Sequence, residues 1–303
     1  MLKVNILMST YNGEKYIEEQ IQSILNQEEV IIKLYIRDDG STDNTVKIIE
    51  SFNKENIVLF KMSNIGWKKS FLELTKLVEY HDDEYYAFSD QDDVWKKNKI
   101  SIAINYLEEK KSSSQIRAYC SNQSFVDNKL NKIDYKISKK FTEPDLYHVI
   151  VNGFGMGCTE VFSSELFRLI KNSKYNGLNI THDVIVSVLG TYFGEMHRDD
   201  NSYILYRQHS DNAGSTHQSF LNKIINSFNF KDIFIIDNVL YLLENFEDLM
   251  TNSQKSLILC FLNMDKLKNK IRLIFNKKVS RDTFFGTLKI KLYILLYRKG
   301  EKK

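Results

Sequence analysis

Three carboxylates stand within four positions at Asp90-Gln91-Asp92-Asp93. Held together they repel one another, so a fold that keeps them side by side does so at a cost unless a cation shares the site. Oxygen donors of this kind suit Mg²⁺ or Mn²⁺, ions that commonly hold substrate phosphates. The plainer use of the same residues is a solvated acidic turn capping a helix at Lys96. A second acidic run, Asp38-Asp39-Gly40-Ser41-Thr42-Asp43, serves equally as a turn and as a helix start. Asp183, directly after Thr181-His182, falls in the first turn of a helix, where a carboxylate steadies the helix dipole by about 0.3–1 kcal/mol.

Strands and helices must bring these groups together. Lys3–Met8 reads as a first strand, and Ser9-Thr10-Tyr11-Asn12-Gly13 as a turn with Asn12 as N-cap. Ile17, Ile21, Ile24 and Leu25 recur at helical spacing, which predicts a helix from Glu14 to Gln27. A strand at 31–37, a helix through Phe52, a strand at 57–60, the turn Asn64-Ile65-Gly66 and a helix to about Glu79 follow. Tyr85–Phe88 is a short buried strand, and 96–110 is helical, so the acidic cluster lies where a strand ends and a helix is about to begin. Four such β-then-α units predict a parallel sheet with right-handed crossovers and helices on both faces. Ligands bind such a sheet at the carboxyl edge.

Farther along, 116–126 is strand-like, and 127–150 is less regular and holds the only proline, Pro144. Gly153-Phe154-Gly155-Met156-Gly157 is loop-like and lacks the spacing of a phosphate-binding loop; its glycines let the backbone approach something closely. Thr181 can cap a helix from His182 to Tyr192, and Tyr203–Tyr206 is a strand that Arg207-Gln208-His209 leaves. Beyond Ser219 alternation gives way to long helical patterns at 233–246, 256–275 and 287–297, which predicts a boundary near Ser215–Ser219.

With 43% hydrophobic and 27% charged residues the chain has the composition of an ordinary globular protein, not of a disordered one. Cys120, Cys158 and Cys260 form no disulfide or zinc pattern, which suits a reducing cytoplasm. Met1-Leu2-Lys3-Val4-Asn5 leads straight into a strand without signal-peptide architecture, and no apolar run reaches the roughly 18–20 residues of a span. From Lys255 to Lys303 there are fourteen Lys/Arg against three Asp/Glu, a local +11 that leaves −8 elsewhere in a chain of net +3. Within this tail Lys289–Lys299 has an apolar middle bracketed by cations, suited to lying in a bilayer interface. A third of that charge on an anionic leaflet would contribute about 3–4 kcal/mol, enough for reversible binding. A solvated helix face is the other use of such a run, and its aromatic–basic interleaving fits an amphipathic helix, so nucleic acid is not expected as a partner.

Taken together, Ser9–Gly13, Asp38–Asp43, Asp90–Asp93, Thr181-His182-Asp183 and Tyr206-Arg207-Gln208-His209 resemble the family 2 glycosyltransferases in type, order and spacing. The likeness covers about the first 215 residues. Asp-Gln-Asp-Asp-Val-Trp with Tyr-Arg-Gln-His is similar to the bacterial rhamnosyltransferase branch. The resemblance implies a GT-A fold over 1–215, with a nucleotide-sugar half at about 1–115 and an acceptor half at about 116–215, followed by a basic, mainly helical region at 216–303. It implies that Thr10, Tyr11 and Glu14 line the base and ribose pocket and that Asp39 accepts the N3–H of uracil or thymine. Asp90 and Gln91 would contact ribose or sugar. Asp92 would hold Mn²⁺ or Mg²⁺, with Asp93 serving the same ion or capping the helix, and His209 would complete the metal shell or touch the diphosphate. Arg207 would be a second diphosphate clamp. Asp183 falls where the family keeps its catalytic base, although this chain has His182-Asp183 where Glu-Asp is common.

The implied activity is inverting transfer of a sugar, rhamnose favoured, from a UDP- or dTDP-type donor to a growing, lipid-linked cell-surface glycan. It would take place in the cytoplasm, peripherally on the inner face of the membrane. Two rival readings fit these residues less well. A sugar nucleotidyltransferase needs a Gly/Arg-rich phosphate loop after the first strand, and Ser9–Glu14 is not one. A non-catalytic assembly partner with a degenerate transferase fold is disfavoured by intact Asp39, Asp92 and Asp183.

Overall fold

A computed structural model describes residues 1–110, 113–134, 143–175, 177–208, 230 and 233–299. Its first half is built from β1 (Leu2–Thr10), α1 (Ile17–Leu25), β2 (Val30–Asp38), α2 (Thr45–Ser51), β3 (Ile57–Lys61), α3 (Trp67–Leu77) and β4 (Tyr85–Ser89). Then come β5 (Val94–Trp95), α4 (Lys99–Glu109), β6 (Arg117–Val126), α5 (Leu146–Asn152), β7 (Val161–Ser163), α6 (Ser164–Asn172), α7 (His182–Phe193) and β8 (Glu195–Arg207). They form one sheet in the order β3-β2-β1-β4-β7-β6-β8-β5. The β3-β2-β1-β4 half is parallel throughout, as expected from four β-then-α units. β7 runs antiparallel to β4 and β6, and β5 antiparallel to β8.

Strand geometry explains why both faces are covered. Successive side chains of β1 point to opposite sides. Val4, Ile6 and Met8 pack with Ile17, Ile21 and Ile24 of α1 and Ile100 and Ile104 of α4. Leu7 joins Phe71 and Leu74 of α3 and Ile185 and Leu189 of α7 on the other side. With both faces buried, the strands read as near-continuous apolar runs.

Several local expectations are corrected. Asn12 does not cap α1, which begins at Ile17; Asn12 sits at φ 47° and its Oδ1 accepts from Thr42 N at 2.8 Å, tying the β1 turn to the β2 turn. The segment after the acidic cluster is first a strand, because Val94 and Trp95 pair with Leu205 and Ile204, and the helix waits until Lys99. The patterns at 233–246 and 287–297 appear as the helices Ile235–Phe246 and Phe284–Leu296. The expected single helix at 256–275 is two, Asn252–Leu262 and Leu267–Phe275. Ile235, Val239, Ile258, Phe261, Ile290 and Ile294 from these C-terminal helices share the core that holds Leu7 and Ile185. The boundary expected near Ser215–Ser219 lies outside the described residues.

Candidate active site

A cavity of about 660 Å³ opens at the carboxyl ends of β1, β2 and β4. Thr10, Tyr11, Asp39, Asp90, Gln91, Asp92 and Asp183 all line it, so turns as far apart in sequence as Thr10 and Asp183 meet there. Gln91 stitches two of these turns together. Its Oε1 accepts from Thr10 Oγ1 at 2.6 Å and from Tyr11 N at 2.9 Å, while its Nε2 donates to Tyr11 O at 3.2 Å. Tyr11 remains about half exposed at the mouth.

Asp39 is buried and does not cap α2. It pairs with Arg37 and accepts from Ile65 N at 3.0 Å and Gly66 N at 2.9 Å, which fixes the loop before α3. Glu14 is not among the cavity residues; it accepts from Asn44 N and Nδ2 at 3.0 and 2.8 Å and so secures the start of α2.

The acidic turn does not cap α4 either, whose N-cap is Asn98. Asp93 is fully buried, its Oδ1 accepts from Arg207 N at 3.1 Å, and its Oδ2 has no hydrogen-bond partner among the described residues. Ligand atoms of Asp90, Asp93 and Cys158 lie within 4.8 Å of one another. Burial, then the charges of Asp92 and Asp183, pushes Asp90 up to about 7. Burial and the same crowding push the Asp93 carboxyl and the Cys158 thiol up. On the other side of the turn Lys99 is buried, its ammonium 3.6 Å from the centroid of Trp95, and burial brings it down to about 7. Crowded carboxylates with an orphaned buried oxygen are a donor set that fits a hard divalent cation.

Arg207 requires a correction. Its guanidinium is buried and donates to Asp92 O at 2.7 Å, Asn128 O at 2.8 Å and Glu19 Oε2 at 2.6 Å, away from the cavity lining. It holds the acidic turn in place rather than reaching for a ligand, because β8 runs beside that turn. His209 lies outside the described residues.

Asp183 occupies the first turn of α7, accepting from Thr181 Oγ1 and from Val184 N at 2.8 Å. His182 is wedged against Phe71 and Phe88, with ring centroids 3.9 and 4.7 Å away. Burial lowers it to about 4, so the imidazole is neutral at physiological pH. The glycine loop is what this packing needs: a Cβ on Gly157 would lie 2.1 Å from His182 Nε2. Since His182 cannot swing aside, Gly157→Ala should destabilise the protein by about 1–3 kcal/mol. Denaturant melts of the two proteins check this.

Sequence reading missed Trp67, Phe71, Met156, Cys158 and Tyr206 as cavity residues. The Asn64–Gly66 turn and the 153–157 glycines marked the loops that bring in the first four. Glu160 gave no signal at all, yet it is fully buried beneath Gly155, with Oε1 3.4 Å from Ser187 Oγ.

The family model described as "Glycosyl transferase family 2" matches residues 5–167. The dTDP-rhamnosyl transferase RfbG of Shigella flexneri is 35% identical over 230 residues, covering 71% of this chain and 76% of that protein. The putative teichuronic acid biosynthesis glycosyltransferase TuaG of Bacillus subtilis is 31% identical over 119 residues, 38% of this chain and 46% of its own length. Among solved structures, S. aureus TarS 1–349 in complex with UDP-GlcNAc superposes with a TM-score of 0.56 at 17% identity, covering 86% of this chain and 72% of that one. The mannosyltransferase PcManGT from Pyrobaculum calidifontis in complex with GDP-Man and Mn²⁺ gives 0.52 at 11% identity, covering 97% and 76%. These likenesses show the GT-A-like fold.

Proposed function

The chain belongs to glycosyl transferase family 2, and from that membership we propose that it is an inverting transferase acting on a nucleoside-diphosphate sugar and a glycan acceptor. The observation that carries the reading is the meeting of Thr10, Asp39, Asp92 and Asp183 around one cavity at the carboxyl edge of the sheet. Rhamnose on a dTDP-type nucleotide is the favoured donor, supported by the similarity to a protein named as a dTDP-rhamnosyl transferase. The favoured acceptor is a hydroxyl of a growing, lipid-linked cell-surface polysaccharide, met at the cytoplasmic face of the membrane.

In this reading Thr10, Tyr11 and Asp39 receive the nucleotide, and Asp90 and Gln91 face its ribose or sugar. Asp183 takes the proton of the acceptor hydroxyl as that oxygen attacks the anomeric carbon, whose bond to the diphosphate breaks on the opposite face. Mn²⁺ or Mg²⁺, when bound, supplies positive charge for the leaving diphosphate. Asp92 with Asp90 and Asp93 would hold it. Arg207 keeps those carboxylates in register from behind.

The test is a panel of nucleotide sugars with the purified protein and Mn²⁺, scored by calorimetric binding and by nucleoside diphosphate release. dTDP-rhamnose should bind most tightly and turn over. Preference for another sugar would correct the donor, and no binding by any of them would sink the transferase reading.

A further inference from the structure

On the helix Leu267–Phe275, three large apolar side chains stand in a row at i, i+4 and i+8. Leu267, Ile271 and Phe275 are 73%, 49% and 80% exposed, while Leu273 on the other side is buried. The helix Phe284–Leu296 repeats the arrangement. Ile290 and Ile294 are in the core, and Phe284, Leu288 and Leu295, which share the opposite face at helical spacing, are exposed. The two helices run antiparallel: Lys270 Nζ donates to Leu295 O at 2.7 Å, and Lys291 Nζ to Leu273 O at 3.0 Å and Asn276 O at 2.7 Å. Apolar residues on both faces are the pattern of a helix that is covered on both sides.

The charge around these rows has one sign. Lys266, Lys268, Lys277, Arg298 and Lys299 are exposed, whereas Asp265 and Asp282, the only acidic residues between 255 and 299, are not. Two such faces would repel each other, which disfavours a second copy as the occupant. An anionic surface is complementary. Among the described residues no helix is long and apolar enough to cross a membrane, so these helices would lie on it. The tail stretch expected to bracket its apolar middle with cations is corrected in detail. Lys289 is buried and Lys291 is turned onto backbone carbonyls.

We propose that the face formed by Leu267, Ile271, Phe275, Phe284, Leu288 and Leu295 docks on an anionic lipid bilayer, the exposed lysines meeting headgroups and the apolar rows entering the interface. This deepens the reading of a lipid-linked acceptor and rests on it for its purpose.

Flotation of the full-length protein with phosphatidylglycerol/phosphatidylcholine vesicles, and with phosphatidylcholine alone, at low and high salt tests it. The protein should float with the anionic vesicles at low salt and be largely released by high salt. Leu267→Glu/Ile271→Glu/Phe275→Glu should lower the bound fraction about tenfold or more, and Leu249→Glu, at an exposed position outside this face, should not. Circular dichroism and thermal melts check that each variant folds. A charge variant, Lys266→Gln/Lys268→Gln/Lys277→Gln, keeps the apolar rows and should bind anionic vesicles several-fold more weakly than the wild type at low salt, by about 1 kcal/mol per charge removed at most.

The proposal is overturned if the wild type ignores anionic vesicles at low salt, or if both multiple variants bind as the wild type does. It is equally overturned if light scattering shows a dimer that the apolar variant splits while vesicles capture nothing, which would make this face a contact between copies. Nucleoside-diphosphate binding, measured without vesicles, separates the two readings. Lost docking with intact nucleotide binding sinks only this proposal, and the reverse sinks only the transferase reading.

Discussion

Asp183→Asn should leave donor binding within a few-fold of the wild type and lower sugar transfer by about 10² or more. Asparagine keeps the shape, and its Oδ1 can still accept from Thr181 Oγ1 and Val184 N, the partners Asp183 has now. What it loses is the ability to take a proton. The two roles open to this carboxylate differ enough in size to be told apart. A first-turn carboxylate that only steadies the α7 dipole contributes about 0.3–1 kcal/mol to stability. A general base contributes to the barrier, where 10² corresponds to about 2.7 kcal/mol. Single-turnover kinetics with saturating donor, beside a melt of the same variant, separates them. A variant with near-normal turnover and a lowered melting temperature would return Asp183 to the helix start. The stereochemistry follows from the same single displacement: a β-linked dTDP-rhamnose should yield an α-rhamnoside. A one-bond C1–H1 NMR coupling showing retention would rule the mechanism out.

The parts of this molecule legible in its sequence are those with a period. Lys3–Met8 and the apolar 17-21-24 spacing gave β1 and α1, and four repeats of that alternation gave the parallel half of the sheet, because each element there buries a full face. β5 and β7 are two and three residues long, too short to show any alternation, and both pair antiparallel with strands distant in sequence. The helix expected at 256–275 hid its break, since Asn263–Lys266 contains neither glycine nor proline.

At the site, acidic residues at strand ends were visible because carboxylates at a carboxyl edge are unusual chemistry wherever they fall. Arg207 was seen but misassigned: sequence places it after a strand, and only the pairing of β8 with β5 turns its guanidinium behind Asp92. Lys99 and Glu160 gave no warning, since a buried ammonium or carboxylate acquires its meaning from neighbours that the fold supplies. His182 was noticed only as a departure from Glu-Asp, and its neutral state follows from Phe71 and Phe88 closing over it.

Asp92→Asn should abolish transfer, by about 10² or more, while the metal-free protein keeps its fold and gains stability or holds it. Two different roles for the acidic turn give opposite signs here. If the turn were merely structural, removing Asp92 would cost stability and leave most of the activity. If the turn exists to share a cation, its carboxylates are mutually repulsive without one, and losing a charge relieves that strain. The direction of the neighbouring carboxyls supports the second case. The charge of Asp92 is the largest cause after burial for the upward push on both Asp90 and Asp93. Asparagine in its place should let both fall back, which favours the folded state above the ordinary carboxylate range, where the unfolded chain has already ionised them. The backbone support is untouched, because Arg207 Nε binds the carbonyl of residue 92 and not its side chain. Titration of Mn²⁺ followed by electron paramagnetic resonance should show weakened binding in the variant. In the wild type, transfer should vanish in EDTA and return with Mn²⁺ or Mg²⁺. Full turnover in chelator, or a variant that binds Mn²⁺ like the wild type but melts lower, would make Asp92 a structural residue.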